Sequence, residues 1–151
     1  MSQNRDIAEK FYTSITNGEI QVIEDLLIDD FELIVPMENG ILSGHYKGKK
    51  RFMEDILPLV FSCVNPEDIV FCKNFKIINS FNNIIISMAQ NDGIALSGKS
   101  YNQIYLHIMT IEDRKIIRLI ESFDSALAND SLWGDSKKLI PDKLFSLKNF
   151  S

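Results

Sequence analysis

The sequence predicts an α+β cone: three N-terminal helices packed on a strongly curved antiparallel or mixed sheet, with a pocket enclosed between the two layers. Three observations lead there. Apolar residues recur at helical spacing as far as Phe61, and from Asp68 onward they alternate as in strands. Turn-forming clusters at residues 79–83, 91–93 and 112–114 divide that second half into four strands.

Taken in order, residues 4–16 set Ile7, Ala8, Phe11, Tyr12 and Ile15 on one helical face, and Asn17-Gly18 ends that helix in a left-handed cap. A second, short helix carries Ile20, Ile23, Leu26 and Leu27 and stops near Asp29-Asp30. Residues 31–36 read as a strand closed by Pro36, and residues 37–44 as a loop. A third helix over 47–61 presents Phe52, Met53, Ile56, Leu57 and Val60, with Pro58 expected to kink or shorten it. Strands follow over 68–78, 84–90, 101–111 and 115–125, with Asn91-Asp92-Gly93 as a turn or bulge. The expected domain spans residues 1–127. Residues 128–151 form a C-terminal extension whose Leu132, Trp133, Phe145 and Phe150 need a surface to cover, either on the domain or on a partner subunit.

Composition narrows the function. The chain has 151 residues, 45% of them apolar, and a formal net charge of −5, which disfavours nucleic acid because phosphates demand a basic face. The first residues lack the apolar core of a signal peptide, and no apolar run approaches membrane-spanning length. Cys63 and Cys72 are too few for a disulfide framework, so a cytoplasmic protein with reduced thiols is the expectation. Two histidines, His45 and His107, without metal-ligand spacing argue for no metal.

Glu121 stands out. Along residues 115–124 alternate side chains form one set of Ile117, Leu119, Glu121 and Phe123, in which Glu121 is the one ionisable group. A carboxylate among large apolar neighbours either stays protonated or shares a cavity with a partner, which is how proteins obtain acid–base groups near neutral pH. A register shift would instead turn it to solvent. A hairpin turning about Glu112-Asp113 sets Ile104 opposite Glu121 and Leu106 opposite Leu119. Asn102, Ile104, Leu106, Leu119, Glu121 and Phe123 then line the pocket, while Tyr101, Gln103, Tyr105 and His107 face outward toward a dimer partner.

The segments Ala8-Glu9-Lys10-Phe11-Tyr12, Asn17-Gly18-Glu19 and Gly44-His45-Tyr46-Lys47-Gly48-Lys49 come first; Tyr101 to His107, Lys115-Ile116 and Glu121-Ser122-Phe123-Asp124 follow. In their order and spacing the chain resembles the SnoaL-like branch of the nuclear-transport-factor-2-like (NTF2-like) superfamily over residues 4–127. Its last strands also resemble the phenazine-biosynthesis A and B proteins. The resemblance implies a cone-shaped fold, a homodimer packed through the sheets, and a pocket for a small hydrophobic or aromatic molecule. It also bears on residues. Phe11, Val35 and Leu106 stand where the ketosteroid-isomerase pattern wants Tyr, Asp and Asp, so that activity is not expected. Arg118 and Asp124 fall on the wrong face for an epoxide-hydrolase set. In the phenazine-type pattern Glu121 matches the acidic residue, Asp55 replaces a helix histidine, and Tyr101 matches a pocket tyrosine that strand parity puts on the opposite face.

The expected catalytic pair is therefore Glu121 with Asp55. Tyr101, Asn102, Ile104, Leu106, Leu119, Phe123, Phe11, Phe52 and the loop residue Glu38 are expected to bind substrate. Asp55 and Glu38 also fit plain solvated carboxylates, and His107 a packed histidine. The basic run of Lys47, Lys49, Lys50 and Arg51 beside His45 either draws an acidic ligand to the pocket rim or is a solvated face. The predicted function is a cofactor-independent isomerase or cyclase using a buried carboxylate as general acid–base on a hydrophobic or aromatic carbonyl or imine, in secondary metabolism. The alternative is a non-catalytic ligand-binding or dimerisation module. No metal, nucleic-acid or membrane partner is expected.

Overall fold

The computed structural model describes residues 2–151; Met1, the first residue of the predicted domain, lies outside the described residues. Helix α1 (Ser2–Thr16) buries Ile7, Ala8, Phe11 and Tyr12, and Gly18 turns the chain at φ +68°. Helix α2 (Ile20–Leu26) is shorter than its apolar spacing predicts. Leu27 is already extended and pairs with Ile116, so strand pairing ends the helix before Asp29-Asp30. Strand β1 (Leu27–Val35) leads to the short β2 (Gly44–Lys47), which the pattern of apolar residues does not show.

The third helix is continuous but not uniform. A first turn, α3 (Lys49–Arg51), widens into a π-helical stretch over Phe52–Ile56 before α4 (Leu57–Phe61). Pro58 sits at the start of α4, and the wider turn ahead of it absorbs both its missing N–H and its clash with the preceding turn, so the helix does not break there.

Strands β3 (Ile69–Phe81), β4 (Ile84–Gly93), β5 (Ile104–Glu112) and β6 (Lys115–Phe123) complete one six-stranded sheet in the order β2-β1-β6-β5-β4-β3. The pairing of β1 with β6 is parallel and every other pairing antiparallel, so the sheet is mixed. Helix α1 lies across β3, β4 and β5, and the apolar core fills the space between. Gly93 is needed where it stands: at φ +146° its absent Cβ would meet the Asp68 carbonyl oxygen at 2.2 Å.

The β5–β6 hairpin corrects the predicted register. The turn residues are Asp113 and Arg114, both at positive φ (+49° and +66°), so Glu112 pairs with Lys115. One extra β6 residue then bulges between the Thr110–Arg118 and Ile111–Ile116 pairs. Together these place His107 opposite Glu121 and Tyr105 opposite Phe123. The offset from the expected pairing is odd, so the whole β5 set changes face. Tyr105 and His107 point inward, and Ile104 and Leu106, expected in the pocket, point out to solvent at 46% and 42% exposure.

Beyond β6, Asp124 caps α5 (Ser125–Leu127) by accepting from the Leu127 N–H at 3.1 Å, and Leu132 and Trp133 are buried. The tail then returns to the sheet edge. His45 N–H donates to the Lys143 carbonyl at 2.8 Å, Phe145 stacks on His45, and Arg118 lies over Phe150. Segment 139–150 thus covers the open edge of β2 and its outer face. Among the described residues no helix is long and apolar enough to cross a membrane.

Candidate active site

A cavity of about 80 Å³ lies between the helical layer and the concave face of the sheet. Phe11 of α1, Phe52 and Ile56 of the third helix, Leu33 of β1 and Leu119 of β6 form its apolar wall. Its polar groups are Cys72, Tyr105, His107 and Glu121. Glu121 keeps 19% side-chain exposure, whereas His107 behind it keeps 2%.

The acid is therefore not solitary. His107 Nε2 lies 2.8 Å from Glu121 Oε2, His107 Nδ1 lies 2.7 Å from the Tyr12 hydroxyl, and that hydroxyl lies 2.6 Å from Ser87 Oγ. Ser87, Tyr12 and His107 are all buried. One assignment satisfies every hydrogen when Glu121 is ionised. Ser87 Oγ–H donates to Tyr12, Tyr12 O–H donates to Nδ1, and Nε2–H donates to the carboxylate. With a proton added to the imidazole, Nδ1–H donates to Tyr12 and Tyr12 O–H to Ser87. Both protonation states of His107 thus keep a partner at each ring nitrogen without any heavy atom moving; only the hydroxyl hydrogens turn, and in the protonated state the Ser87 hydrogen gives up its acceptor. The rings add rigidity: His107 stacks between Tyr12 and Tyr105 at centroid distances of 5.7 Å on each side.

Burial pushes the hydroxyls of Tyr12 and Tyr105 well above their ordinary value, and the Ser87 hydrogen bond offsets this only in part at Tyr12. Burial also pushes Tyr101 up to about 12, opposed by its hydrogen bond with Gln103. These tyrosines are donors, not bases. The Cys72 thiol is likewise held protonated by burial, with the Glu121 charge acting in the same direction, so it is no nucleophile in this state. Cys72 takes φ +53° at a bulge of β3, held there by its own N–H donating to Asn91 Oδ1 at 3.0 Å. Asn91 Nδ2–H in turn donates to the Tyr105 hydroxyl at 3.1 Å.

Of the residues predicted from sequence, the cavity brings together Glu121, Phe11, Phe52 and Leu119. Tyr101 is buried on the same face, and Phe123 packs edge-on against Tyr105. Others stand elsewhere. Asp55 is 51% exposed and pairs with Arg51 at 2.9 Å, one helical turn away, because it lies on the solvent side of the widened helix. Glu38 is exposed on the 37–44 loop and borders a separate surface recess with Lys138 and Phe145. Asn102, outward like Ile104 and Leu106, accepts from the Gly93 N–H at 2.9 Å and holds the strand end. The basic run does not reach the cavity: Lys49, Lys50 and Arg51 meet Asp29, Glu54 and Asp55, and His45 binds Glu32 beneath the tail. Among the described residues no cluster of three or more His, Cys, Asp or Glu is placed to hold a metal ion.

Tyr12, Ser87 and Asn91 escape a sequence search for acids and bases. One signal was available: Ile85, Ser87, Ala89 and Asn91 share one face of β4, and two small polar residues on an otherwise core-facing set need partners.

No protein-family model and no curated protein matches the chain. Solved structures do. An NTF2-like protein of unknown function from Burkholderia pseudomallei is 17% identical, with 87% of this chain and 98% of that one covered at a TM-score of 0.73. A candidate isomerase from Bacillus subtilis is 17% identical over 91% of this chain and 97% of its own, at 0.72. An epoxide hydrolase of M. tuberculosis is 13% identical over 87% and 90%, at 0.61. At such identities the likeness concerns architecture alone. The helices on a curved mixed sheet found here are the NTF2-like fold.

Proposed function

We propose that the protein is a cofactor-independent acid–base catalyst of the isomerase or cyclase type, acting on a small carbonyl or imine compound. The observation that carries this is the hydrogen-bonded line Ser87–Tyr12–His107–Glu121 ending at a cavity. In this reading Glu121 removes a proton from the carbon beside the carbonyl and returns it at another position. His107 shares the charge of that transfer, since either protonation state leaves it fully bonded. Tyr105, kept protonated by burial, donates to the carbonyl oxygen as negative charge develops there. Epoxide hydrolysis is not favoured, because Arg118 points away from the cavity and pairs with Glu32 at 3.5 Å.

A test follows from the chemistry. In D2O the protein should speed exchange of the α-hydrogens of simple ketones, followed by NMR, and Glu121→Gln should lower that rate about 10²- to 10⁴-fold. Equal exchange by the protein and its Glu121→Gln variant would remove the carboxylate from any such role.

A second reading, a non-catalytic dimerisation module whose cone is filled mainly by its own side chains, is favoured by the size of the cavity. At about 80 Å³ it is smaller than an engineered apolar cavity of ~150 Å³ that takes up benzene. We also propose a homodimer through the outer face of β4 and β5, where Met88, Ile104 and Leu106 are exposed side by side. Sedimentation should give twice the chain mass; Leu106→Arg should give the monomer.

A further inference from the structure

Next to the inner cavity, on the side where α1 ends, lies an open recess of about 450 Å³. Its floor is apolar, from Ile20, Val64 and Ile69, and its rim carries Thr16, Asn17 and Gly18. Ile15, Phe61 and Phe71 line both this recess and the cavity that holds Glu121, so their side chains are the wall between the two. The two rings meet edge-to-face, with centroids 6.0 Å apart and an interplanar angle of 72°.

That wall stands where regular structure stops. Phe61 is the last residue of α4, and Phe71 lies in the stretch of β3 where pairing with β4 is interrupted between Val70 and Asn74. Both are half-buried, and neither ring has a polar tie. The backbone beside Phe71 is fixed, since the Thr16 hydroxyl lies within hydrogen-bond reach of the Phe71 and Cys72 carbonyl oxygens at 2.9 and 3.0 Å. A ring can therefore swing while the strand stays. The inner cavity alone holds no more than a carbonyl fragment, whereas small-molecule sites usually measure ~300–1,000 Å³. The recess alone lies within that range, and joining it to the cavity across the aromatic wall brings it to Glu121.

We infer that cavity and recess form one binding site divided by the Phe61–Phe71 pair, and that its ligand is an amphiphile with a small carbonyl head and a linear or single-ring apolar tail. This rests on the proposed acid–base reading for the head group; the tail subsite stands apart from it. The head reaches Glu121 and Tyr105. The tail parts the two rings and lies on Ile20, Val64 and Ile69, with its end at the Asn17 rim.

The experiment titrates the full-length protein with straight-chain methyl ketones from butanone to decanone, following backbone amide NMR shifts. Short members should move the amides of Cys72 and Glu121 alone. Longer members should also move Asn17, Gly18 and Ile69, with affinity rising about threefold to fourfold per added methylene. Phe61→Ala should admit branched and fused-ring ketones that the wild-type wall excludes. Ile20→Trp, a change at a partly exposed position of the recess floor that the fold should tolerate, should abolish the gain with length. Chain-length dependence that persists in Ile20→Trp, or long ketones that leave the Asn17 and Ile69 amides unmoved, would overturn the inference. The two proposals fail separately. Length-dependent binding together with Glu121→Gln exchange equal to wild type keeps the divided site and removes the chemistry; loss of exchange without length dependence does the reverse.

Discussion

Tyr12→Phe is the sharpest probe of the buried line. The substitution keeps the ring, which stacks on Phe75 at 4.9 Å, and deletes one hydroxyl that serves two neighbours at 2.6 and 2.7 Å. Ser87 Oγ and His107 Nδ1 would then both lie without a partner in a region closed to water. Each orphaned polar group costs about 1–3 kcal/mol, and the loss of a hydroxyl to desolvate returns part of that, so a net loss of about 2–4 kcal/mol is expected. In a domain of this size the melting temperature should fall by roughly 5–15 °C. Urea unfolding is the assay: the midpoint should drop with the slope unchanged. Ser87→Ala removes one end of the line while Tyr12 can still donate to His107, so it should cost only about 1 kcal/mol. The double variant should then cost less than the sum of the two, because one shared hydrogen bond is counted twice. A Tyr12→Phe protein within about 0.5 kcal/mol of wild type would show that the line is not sealed from water, and the account of how His107 is held would fall with it.

Two further outcomes follow. All four tyrosines, Tyr12, Tyr46, Tyr101 and Tyr105, are raised above their ordinary value by burial, Tyr46 and Tyr101 to about 12, and Cys72 is raised with them. Below about pH 8 native and unfolded chains hold these protons alike; above it the unfolded chain loses first the Cys72 proton and then, near pH 10, the tyrosine protons, all of which the native chain keeps, so stability falls steadily as pH rises. Absorbance at 295 nm should therefore stay flat past pH 10 and rise only with unfolding, and a smooth tyrosinate titration centred near pH 10 in the folded protein would contradict the burial. Asp55→Ala should leave α-hydrogen exchange unchanged and shift stability by less than about 1 kcal/mol, since an exposed ion pair one helical turn long contributes little; a large loss of exchange would return Asp55 to the site.

The order of elements was legible because the helical and strand periods are well separated along this chain: α1 buries four of the five residues its spacing marks, and the fifth, Ile15, is partly buried. Its limits came from pairing, which is non-local. Leu27 fits the helical stripe of α2 yet belongs to β1, because Ile116, far along the chain, supplies its strand partner. Glu121 was legible as a carboxylate out of place, and the cavity wall of Phe11, Phe52 and Leu119 followed from the same reasoning. Its partner was not. A turn at Asp113-Arg114 and one bulged residue separate the observed register from the expected one, and that odd offset exchanged Ile104 and Leu106 for Tyr105 and His107. The same shift resolves the position of Tyr101, which the phenazine-type resemblance put in the pocket and simple alternation put outside: it lies on the inner face.

The site's polarity bears on the choice between catalysis and mere packing. A fold that needed only a filled cone would gain by placing apolar residues at positions 87, 107 and 121, because buried polar groups, even when well paired, seldom add more stability than hydrocarbon of the same volume. Here three strands and a helix each give up one core position to a single line of hydrogen bonds. Ser87 comes from β4, His107 from β5, Glu121 from β6 and Tyr12 from α1. Were the line a device for specifying strand register, it could close on itself and exclude all space. Instead it ends at a carboxylate that faces a cavity, and part of that cavity's wall is a pair of phenylalanine rings with open volume behind them. A structural network has no use for that void, whereas a proton carrier needs both the void for a reacting carbon and a partner to hold the charge once the proton has moved.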